Sequence, residues 1–161
     1  MTLEIVPTRP EFDGVICQII QTVGAEFGAI GEGFGPSDAE VLAMSQHYHV
    51  QKRSAYFVAL LNGIVVGGGG IAAFAQDTNV CELKKLFLLP TARGQGVGRA
   101  LSEHCLNFAK QQNYAACYLD TLSCMTQAIR LYQQLGFEHL SQPLVGSVHN
   151  GCDVWMFKSL R

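Results

Sequence analysis

The stretch Leu86-Phe-Leu-Leu-Pro-Thr-Ala-Arg-Gly-Gln-Gly-Val-Gly-Arg99 decides the fold of this chain. An apolar run ends at Pro90, Arg93 and three alternating glycines follow, and a helical pattern of apolar residues begins at Val97. We therefore expect a strand, a turn of bare backbone and the N-terminus of a helix. Free N–H groups and the helix dipole attract anions at such a place, above all a pyrophosphate.

Two other phosphate-binding loops do not fit this segment. A P-loop ends in Gly-Lys-Ser/Thr, which is absent here. The dinucleotide fingerprint places glycines at positions one, three and six, but the sixth position counted from Gly94 is Arg99, whose side chain would crowd the helix against its strand. The acidic residue that should follow a second strand is also missing, since Asp120 lies too far along the chain.

The turn fits the pattern Arg/Gln-x-x-Gly-x-Gly from Arg93 onward, and it resembles the coenzyme A loop of the GNAT superfamily of N-acetyltransferases. A second segment, Ala128-Ile-Arg-Leu-Tyr-Gln-Gln-Leu-Gly-Phe137, resembles that family's Ala-x-x-x-Tyr-x-x-x-Gly-Phe pattern. The gap between the two segments suits one helix, one strand and the start of a second helix. With Glu82-Leu-Lys-Lys before the turn, the resemblance covers residues 79–139.

Periodicity and turn signals predict the elements around these segments. Two capping boxes, Thr8–Glu11 and Ser37–Glu40, predict two helices after the first strand. Asn62-Gly63 predicts a type I′ hairpin, and the glycines of Gly67–Gly70 indicate close backbone approach or a bulge in its second strand. The strands are expected at 3–6, 55–61, 64–74, 80–89, 116–119, 137–140 and 153–160, and the later helices at 97–112 and 123–135. This order indicates an α/β (α+β) fold with a mixed sheet of about seven strands and helices on both faces.

Composition and charge limit the function. The 161 residues are 48% hydrophobic and 15% charged, which indicates one globular domain spanning 1–161. The net charge of −2 gives no reason to expect nucleic acid or an anionic membrane as a partner, and no apolar run is long enough to span a bilayer. The first residues do not form a signal segment, so we expect a cytoplasmic protein.

The spacing of cysteine and histidine indicates neither disulfides nor a metal site. None of the six cysteines forms a C-x-x-C pair, and most fall at apolar positions of expected strands or helices. We expect reduced core thiols. His47 and His49, two positions apart on an expected helix, would point away from each other and could not share a metal. We therefore expect no bound metal.

The resemblance implies the cofactor and its site. In the GNAT fold the parallel fourth and fifth strands of a mostly antiparallel sheet splay apart, and acetyl-CoA lies in the gap. The strand that ends at Leu88 would pair with the pantetheine arm, with its N–H facing the thioester oxygen, and the glycine turn would hold the pyrophosphate. The cofactor-binding residues that this implies are Leu86, Phe87, Leu88, Arg93, Gly94, Gln95, Gly96, Val97, Gly98 and Arg99.

Tyr132 matches the family's tyrosine, which implies a general acid toward the coenzyme A sulfur. A phenol stays protonated at neutral pH and can donate. The residues alone leave open that Tyr132 is a core aromatic, because it shares a helix face with Ala128, Ile129 and Leu135. Met125 stands where many family members carry an Asn that contacts the cofactor, and a thioether cannot replace that amide.

Glu82 is the leading candidate for the general base, because it lies on the strand before the turn, where some family members place a catalytic Glu. One face of this strand is expected to carry, by the period of two and barring a bulge, Glu82, Lys84, Leu86 and Leu88. Partial burial would raise the pKa of the Glu82 carboxyl toward a useful value. A salt bridge with Lys84 or Lys85 and base catalysis through ordered water stay open as alternatives.

The acceptor pocket is expected under the loop Phe27–Pro36, because the loop between the first two helices often covers this pocket in the family. Glu32 could pair with a cationic amine and Phe34 could pack on its carbon chain, whereas a solvated loop is the alternative. His149 and Asp153 are further candidates for the lining.

The resemblance implies an acetyl-CoA-dependent N-acetyltransferase that acts on the primary amine of a small molecule, such as an amino acid or a polyamine. It also allows a homodimer. Acetylation of a protein or peptide amine and a non-catalytic acyl-CoA-binding sensory module stay open. A nucleotide-binding oxidoreductase is disfavoured by Arg99 in place of a glycine.

Overall fold

Seven strands form one sheet in the computed structural model, which describes residues 1–161, in the order β1-β2-β3-β4-β5-β7-β6. The strands are β1 Leu3–Pro7, β2 Ala55–Leu61, β3 Ile64–Ala73, β4 Val80–Leu88, β5 Ala116–Thr121, β6 Glu138–Leu140 and β7 Val154–Ser159. The helices are α1 Asp13–Glu26, α2 Val97–Gln111 and α3 Thr126–Gln134. Neighbouring strands are antiparallel except for β4 and β5, so the mixed, mostly antiparallel sheet predicted from the sequence is confirmed.

Helices cover both faces of the sheet. Phe57 of β2 packs into a core shared with α2 and α3, whereas its neighbour Tyr56 packs into a second core shared with α1. Because side chains alternate along a strand, these two cores lie on opposite faces. The helices are all too short or too polar to cross a lipid bilayer. All six cysteines are free.

The glycines of β3 make room for large side chains on both faces. A Cβ at Gly68 or Gly70 would lie within 2.7 Å of the Tyr56 ring, and one at Gly67 would lie 2.5 Å from Leu88. The Tyr56 hydroxyl then donates to the carbonyl of Lys85 at 2.8 Å. The close approach predicted from Gly67–Gly70 is thereby confirmed, and it places Tyr56 where it holds the backbone of β4.

A β-bulge in β4 changes which side chains share a face. The pairing of β3 with β4 shifts between Gly68 and Gly70, and Lys85 has a left-handed φ of 52°. Leu86 packs with the core of α2 and α3, whereas Glu82 borders a cavity on the opposite face. The expectation that Glu82, Lys84, Leu86 and Leu88 share one face is therefore wrong, because the extra residue reverses the alternation.

The parallel strands β4 and β5 separate after a short contact. Their pairing runs only from Val80 to Glu82 on β4, opposite Ala116 to Tyr118 on β5. Beyond Glu82 the two strands splay, and the end of β4 loses its neighbour on that side. The gap predicted between the fourth and fifth strands is present.

The two capping boxes are not formed. Thr8 Oγ1 is buried without a partner, a 3₁₀ turn at Pro10–Phe12 intervenes, and α1 begins only at Asp13. The predicted second helix is instead a 3₁₀ segment, Ala39–Gln46, with non-helical backbone at Ala43. The Ser37 hydroxyl accepts a hydrogen bond from the N–H of Gly31 at 3.0 Å, so it is not available to cap.

The hairpin signal is confirmed. Asn62 has a φ of 52° and Gly63 a φ of 80°, and a type I′ turn requires positive φ at both central residues. Leu135 caps α3, and Gly136 follows it with a φ of 98°, as its predicted place beyond that helix requires.

Candidate active site

The splay between β4 and β5 opens into a cavity of about 550 Å³, here called the donor cavity. It is lined by the end of β4, the glycine turn, the start of α3 and the end of α1, where Glu26 and the capping residue Phe27 contribute. Nearly all the residues predicted to bind the cofactor line it; Gln95 and Val97 do not.

The glycine turn presents free N–H groups to this cavity. None of the backbone N–H groups from Gly94 to Arg99 donates to a protein acceptor, and the first to do so is Ala100, to the carbonyl of Gly96 at 3.0 Å. Gly94 and Gly96 have φ values of 74° and 82°, and a Cβ at either position would meet open space. Free N–H groups at a helix N-terminus form an anion site that needs no side chain.

The two arginines of the turn have different surroundings. Arg93 donates to both carboxylate oxygens of Glu26 at 2.7 and 2.9 Å and to the carbonyl of Leu88 at 2.9 Å. The hydrogen bond from Arg93 holds the pKa of Glu26 below its usual range. Arg99 reaches Gln134 at 2.6 Å from the first turn of α2. Arg99 also lies 3.5 Å from Glu103 one turn along α2. Arg93 thus ties the turn to α1, whereas the contacts of Arg99 are with α2 and α3.

The free edge of β4 points an N–H into the splay. Leu89 donates its N–H to Val66 on β3 at 2.8 Å. Because successive residues of a strand alternate, the N–H of Leu88 points away from β3, toward the donor cavity. Such a donor suits an oxygen that becomes negative during a reaction.

Tyr132 lies on α3 at the inner wall of the donor cavity. Its ring packs edge-on against Phe137, with centroids 5.9 Å apart. Burial raises the pKa of the phenol, so the hydroxyl stays protonated at neutral pH and is available to donate a hydrogen bond into the cavity. The position is both a core site and a cavity wall, so the two interpretations of this tyrosine are compatible.

Glu82 borders a second, smaller cavity of about 70 Å³, here called the acceptor cavity. Only 9% of Glu82 is exposed. Burial, together with the nearby Asp120 carboxylate, raises the pKa of Glu82 to about 7. The two cavities share Phe87 and Met125 in their linings, so they adjoin, with Glu82 on the acceptor side.

A cluster of charges surrounds the acceptor cavity. His149 Nε2 lies 2.8 Å from Asp38 Oδ2, and its Nδ1 lies 3.2 Å from Asp120 Oδ1. Hydrogen bonds with Asp120 and Asp38 raise the pKa of His149 to about 9. The imidazole is therefore protonated at neutral pH, and it bridges the two carboxylates.

The lysines of β4 complete this cluster. Lys85 Nζ lies 2.9 Å from Asp38 and 3.4 Å from Glu40, and Lys84 Nζ lies 3.3 Å from Glu40. Burial opposes ionisation of Asp38, but hydrogen bonds from His149 and Lys85 hold its pKa at about 2. Neither lysine pairs with Glu82, so the salt bridge considered for this residue is not formed.

Glu82, Asp120 and His149 are also the group that could hold a metal, since one atom of each lies within 4.8 Å of the others. Both ring nitrogens of His149 already lie at hydrogen-bond distance from carboxylate oxygens, Nε2 from Asp38 at 2.8 Å and Nδ1 from Asp120 at 3.2 Å. This arrangement fits an imidazole held between carboxylates rather than a ring that presents a free nitrogen to a metal ion.

The remaining acceptor candidates are placed differently. Phe34 and His149 line the acceptor cavity. Glu32 is exposed and lines neither the donor nor the acceptor cavity. Asp153 lies outside both and accepts hydrogen bonds from Ser123 at 2.8 Å. Met125 accepts a contact from the Thr121 hydroxyl at 3.4 Å, between the two cavities.

Sequence reasoning missed the importance of Asp38 and the partners of His149. Asp38 stood inside a supposed capping box, where its carboxylate had no assigned role. Asp120, at the end of a buried strand, was a signal that could have been used, because polar side chains at strand ends often meet in a site.

The sequence comparisons agree with this geometry. The model of the family described as "Acetyltransferase (GNAT) family" matches residues 25–137, which is more than half of the chain. The chain belongs to the GNAT acetyltransferase family. It is therefore an acyltransferase of the GNAT type. The N-acetyltransferase YjgM of Escherichia coli is 36% identical over 147 residues, which cover 90% of this chain and 87% of that protein.

More distant relatives add detail. The rat N-acetylaspartate synthetase is 36% identical over 97 residues, which cover 60% of this GNAT chain but only 32% of that protein. A GNAT acetyltransferase structure from Staphylococcus aureus Mu50 has a TM-score of 0.85 at 20% identity, covering 99% of this chain and 100% of the other. The Salmonella typhimurium yncA structure, described with its cofactor acetyl-CoA, has a TM-score of 0.80 at 19% identity, covering 100% and 95%.

Proposed function

We propose that this protein transfers an acetyl group from acetyl-CoA to the primary amine of a small molecule by direct attack on the thioester. The observation that carries the proposal is the meeting of two cavities. The donor cavity ends in free N–H groups suited to a pyrophosphate, and the acceptor cavity holds the buried Glu82. The acetyl-CoA described for the Salmonella protein of the same fold supports this donor.

The residues can supply each proton transfer. Glu82 accepts a proton from the ammonium group of the acceptor, and the neutral nitrogen then attacks the carbonyl carbon. The N–H of Leu88 stabilises the oxygen as it becomes negative. The C–S bond breaks as Tyr132 donates its proton to the departing sulfur. The nitrogen passes its second proton to the tyrosinate, which restores the tyrosine, and Glu82 releases the proton that it accepted to solvent.

The acceptor cavity favours a small acceptor over a protein segment. Its volume is about 70 Å³, and the two loops that contribute Phe34 and His149 to its lining are joined where the N–H of Gly151 donates to the carbonyl of Gly33 at 2.9 Å. A peptide would need an open groove that leads to Glu82, whereas a small amine needs only room beside it.

Within the small amines, an amino acid is the best supported class. Lys84 lines the acceptor cavity, and its ammonium group has a single acceptor, Glu40 at 3.3 Å, so it has donors to spare for a substrate carboxylate. The names of the N-acetylaspartate synthetases point the same way, since they describe transfer to an amino acid. A polyamine would bring only positive charge to this lysine.

The test is thiol release from acetyl-CoA over a panel of amino acids, polyamines, aminoglycosides and peptides, with calorimetry of acetyl-CoA binding on the same sample. We expect binding and release with amino acids. Release with peptides alone would favour the protein acceptor, and binding without release for any amine would favour a sensory module. No binding of acetyl-CoA would overturn the proposal.

A further inference from the structure

Glu82 is a buried carboxylate without a hydrogen-bond partner. It is 9% exposed, and the nearest cationic atom is His149 Nδ1, 3.9 Å from Oε2. A buried carboxylate with no hydrogen bond takes up a proton readily, because the neutral form is favoured away from water. Something must therefore keep Glu82 ionised if it is to accept a proton at neutral pH.

His149 is fixed at the position where it can do this. Its ring is held on both sides, by Asp38 at 2.8 Å and Asp120 at 3.2 Å, and Asp120 also accepts from the Ser147 hydroxyl at 3.1 Å. The three carboxylates around the ring come from different parts of the fold. Asp38 precedes the 3₁₀ segment, Glu82 lies on β4 and Asp120 lies on β5. The ring therefore has one orientation relative to Glu82.

The other titratable groups near His149 and Glu82 are two tyrosines, two lysines and one cysteine. Burial raises the pKa of the Tyr48 and Tyr118 phenols, so both are neutral at neutral pH. Lys84 and Lys85 on β4 are paired with Glu40 or Asp38, on the 3₁₀ side. The Cys152 thiol, on the C-terminal loop, has its pKa raised to about 12 by burial and by Asp120, so it is neutral. Lys84, His149 and Lys85 all favour the ionised form of Glu82, and Asp120 opposes it. Of these cations, His149 is the one that lies within 4 Å of the Glu82 carboxylate.

Resting on the proposed function, we propose that His149 and Asp120 are positioning residues that act in opposite senses on Glu82. The imidazolium of His149 keeps the Glu82 carboxylate ready to accept the proton of the acceptor amine, and the Asp120 carboxylate holds that imidazolium in place while strengthening the base. Neither residue needs to touch the reacting atoms.

The test uses His149→Gln and Asp120→Asn, which keep shape and hydrogen bonding but remove one charge each. The protonation of Glu82 is followed by ¹³C NMR of glutamate-labelled protein without substrates, with Glu82→Gln to assign the signal and EDTA present throughout. We expect the Glu82 midpoint to rise by about one pH unit or more in His149→Gln and to fall by a similar amount in Asp120→Asn. His47→Gln, an exposed histidine outside the cluster, should leave it unchanged.

Activity gives the second readout. In His149→Gln the acidic limb of the kcat/KM profile should shift to higher pH by the same amount as the NMR midpoint. Near pH 9, where Glu82 is ionised in both proteins, the rate should approach that of the wild type. A loss of rate that is equal at every pH would mean that His149 only holds its loop. An unchanged midpoint, or shifts of the same sign in both variants, would overturn the proposal.

The failure of this inference can be told from a failure of the proposed function. Opposite NMR shifts in a protein that acetylates no amine would support the roles of His149 and Asp120 toward Glu82 and would refute the transferase proposal. Variants that acetylate an amine but show no shift of the Glu82 midpoint would support the transferase proposal and refute the roles of His149 and Asp120. If His149→Gln fails to fold, as judged by circular dichroism, Asp120→Asn alone still tests the proposal, because its Glu82 midpoint should fall.

Discussion

The donor cavity and the acceptor cavity are built in different ways. The donor cavity, about 550 Å³, takes most of its lining from two continuous segments, 86–99 and 124–132. The acceptor cavity, about 70 Å³, takes its charges from separate segments, and His149 meets Asp38 across 111 positions of sequence. A site made of backbone N–H groups is encoded by one short stretch of sequence, whereas a site made of paired charges is assembled from distant segments when the chain folds.

The two sides also differ in what a substitution can remove. At the donor side the anion contacts belong to the backbone, so they are lost only when a side chain fills the turn. At the acceptor side each charge belongs to one side chain, and removing it leaves its neighbours unpaired in a buried place. We expect large binding effects at the first side and large effects on pH dependence at the second.

The largest effect is expected from Gly96→Asp. A carboxylate in the turn would face the pyrophosphate with like charge, and acetyl-CoA affinity should fall by at least about 1000-fold, or about 4 kcal/mol. Gly63→Asp is the matched control, because Gly63 also has a φ of 80° with open space around a Cβ. Calorimetry measures both proteins. Equal affinity of Gly96→Asp and the control would mean that the turn does not hold the cofactor.

Next comes Glu82→Gln, which should lower kcat/KM by on the order of 10² to 10³ at neutral pH, since general base catalysis contributes about this much. The wild-type rate should rise with pH through about 7, because Glu82 accepts a proton only when ionised and its pKa is raised to about 7. That limb should disappear in Glu82→Gln and persist in Glu4→Gln, an exposed control. A limb that survives in Glu82→Gln would point to ordered water or another base.

The same residue should make folding depend on pH. The pKa of Glu82 is raised in the folded protein from 4.5 to about 7, so the folded state binds more protons in that window and stability falls as pH rises through it. Glu82→Gln removes this loss and should be more stable than the wild type at pH 8, by up to about 3 kcal/mol. Urea unfolding at pH 5 and pH 8 measures the difference, which should be small at pH 5. A wild type and variant that respond alike to pH would show that Glu82 ionises freely.

Tyr132→Phe tests the wall of the donor cavity. Turnover should fall by about 100-fold, at the lower end of general acid effects, because a thiolate is already a fair leaving group. Acetyl-CoA affinity should change by less than about threefold, since the ring and its packing on Phe137 remain. Phe137→Leu, which disturbs the same packing without removing a hydroxyl, is the control. Unchanged turnover in Tyr132→Phe would leave this tyrosine a core residue only.

The elements that form the donor cavity could be predicted because their signals are local. The succession of strands and helices along the chain and the turn Gly94–Arg99 each follow from neighbouring residues, whereas the binding of a cofactor there stays a prediction. The partner of Arg93 could not be predicted, because Glu26 lies on a helix whose position depends on packing. The capping box Ser37–Glu40 was misleading for a related reason: Asp38 and Glu40 are used to pair with lysines of β4 rather than to start a helix.

At the acceptor side only single residues could be predicted. Glu82 was identified through the family resemblance, and His149 was named as a candidate, but nothing local connects either to Asp120. The bulge at Lys85, which moves Glu82 to the face opposite Leu86, depends on a hydrogen bond from Tyr56 and on the glycines of β3. These contacts join segments that lie far apart in sequence.

The smallest effect is expected from Lys84→Gln, which separates the acceptor cavity from the donor cavity by a change in the KM for the acceptor alone. If Lys84 binds the acceptor's carboxylate, its loss should raise the KM for amino acids by about tenfold, roughly 1.4 kcal/mol, because one charge-assisted hydrogen bond is lost at a partly exposed site. The KM for an amine of similar size without a carboxylate should not rise, and acetyl-CoA affinity should stay the same. Lys52→Gln, an exposed lysine away from both cavities, should change none of these values. An equal rise in KM for both kinds of acceptor would mean that Lys84 supports the cavity through Glu40 and does not bind the substrate carboxylate. The acceptor cavity would then select its substrate by shape alone.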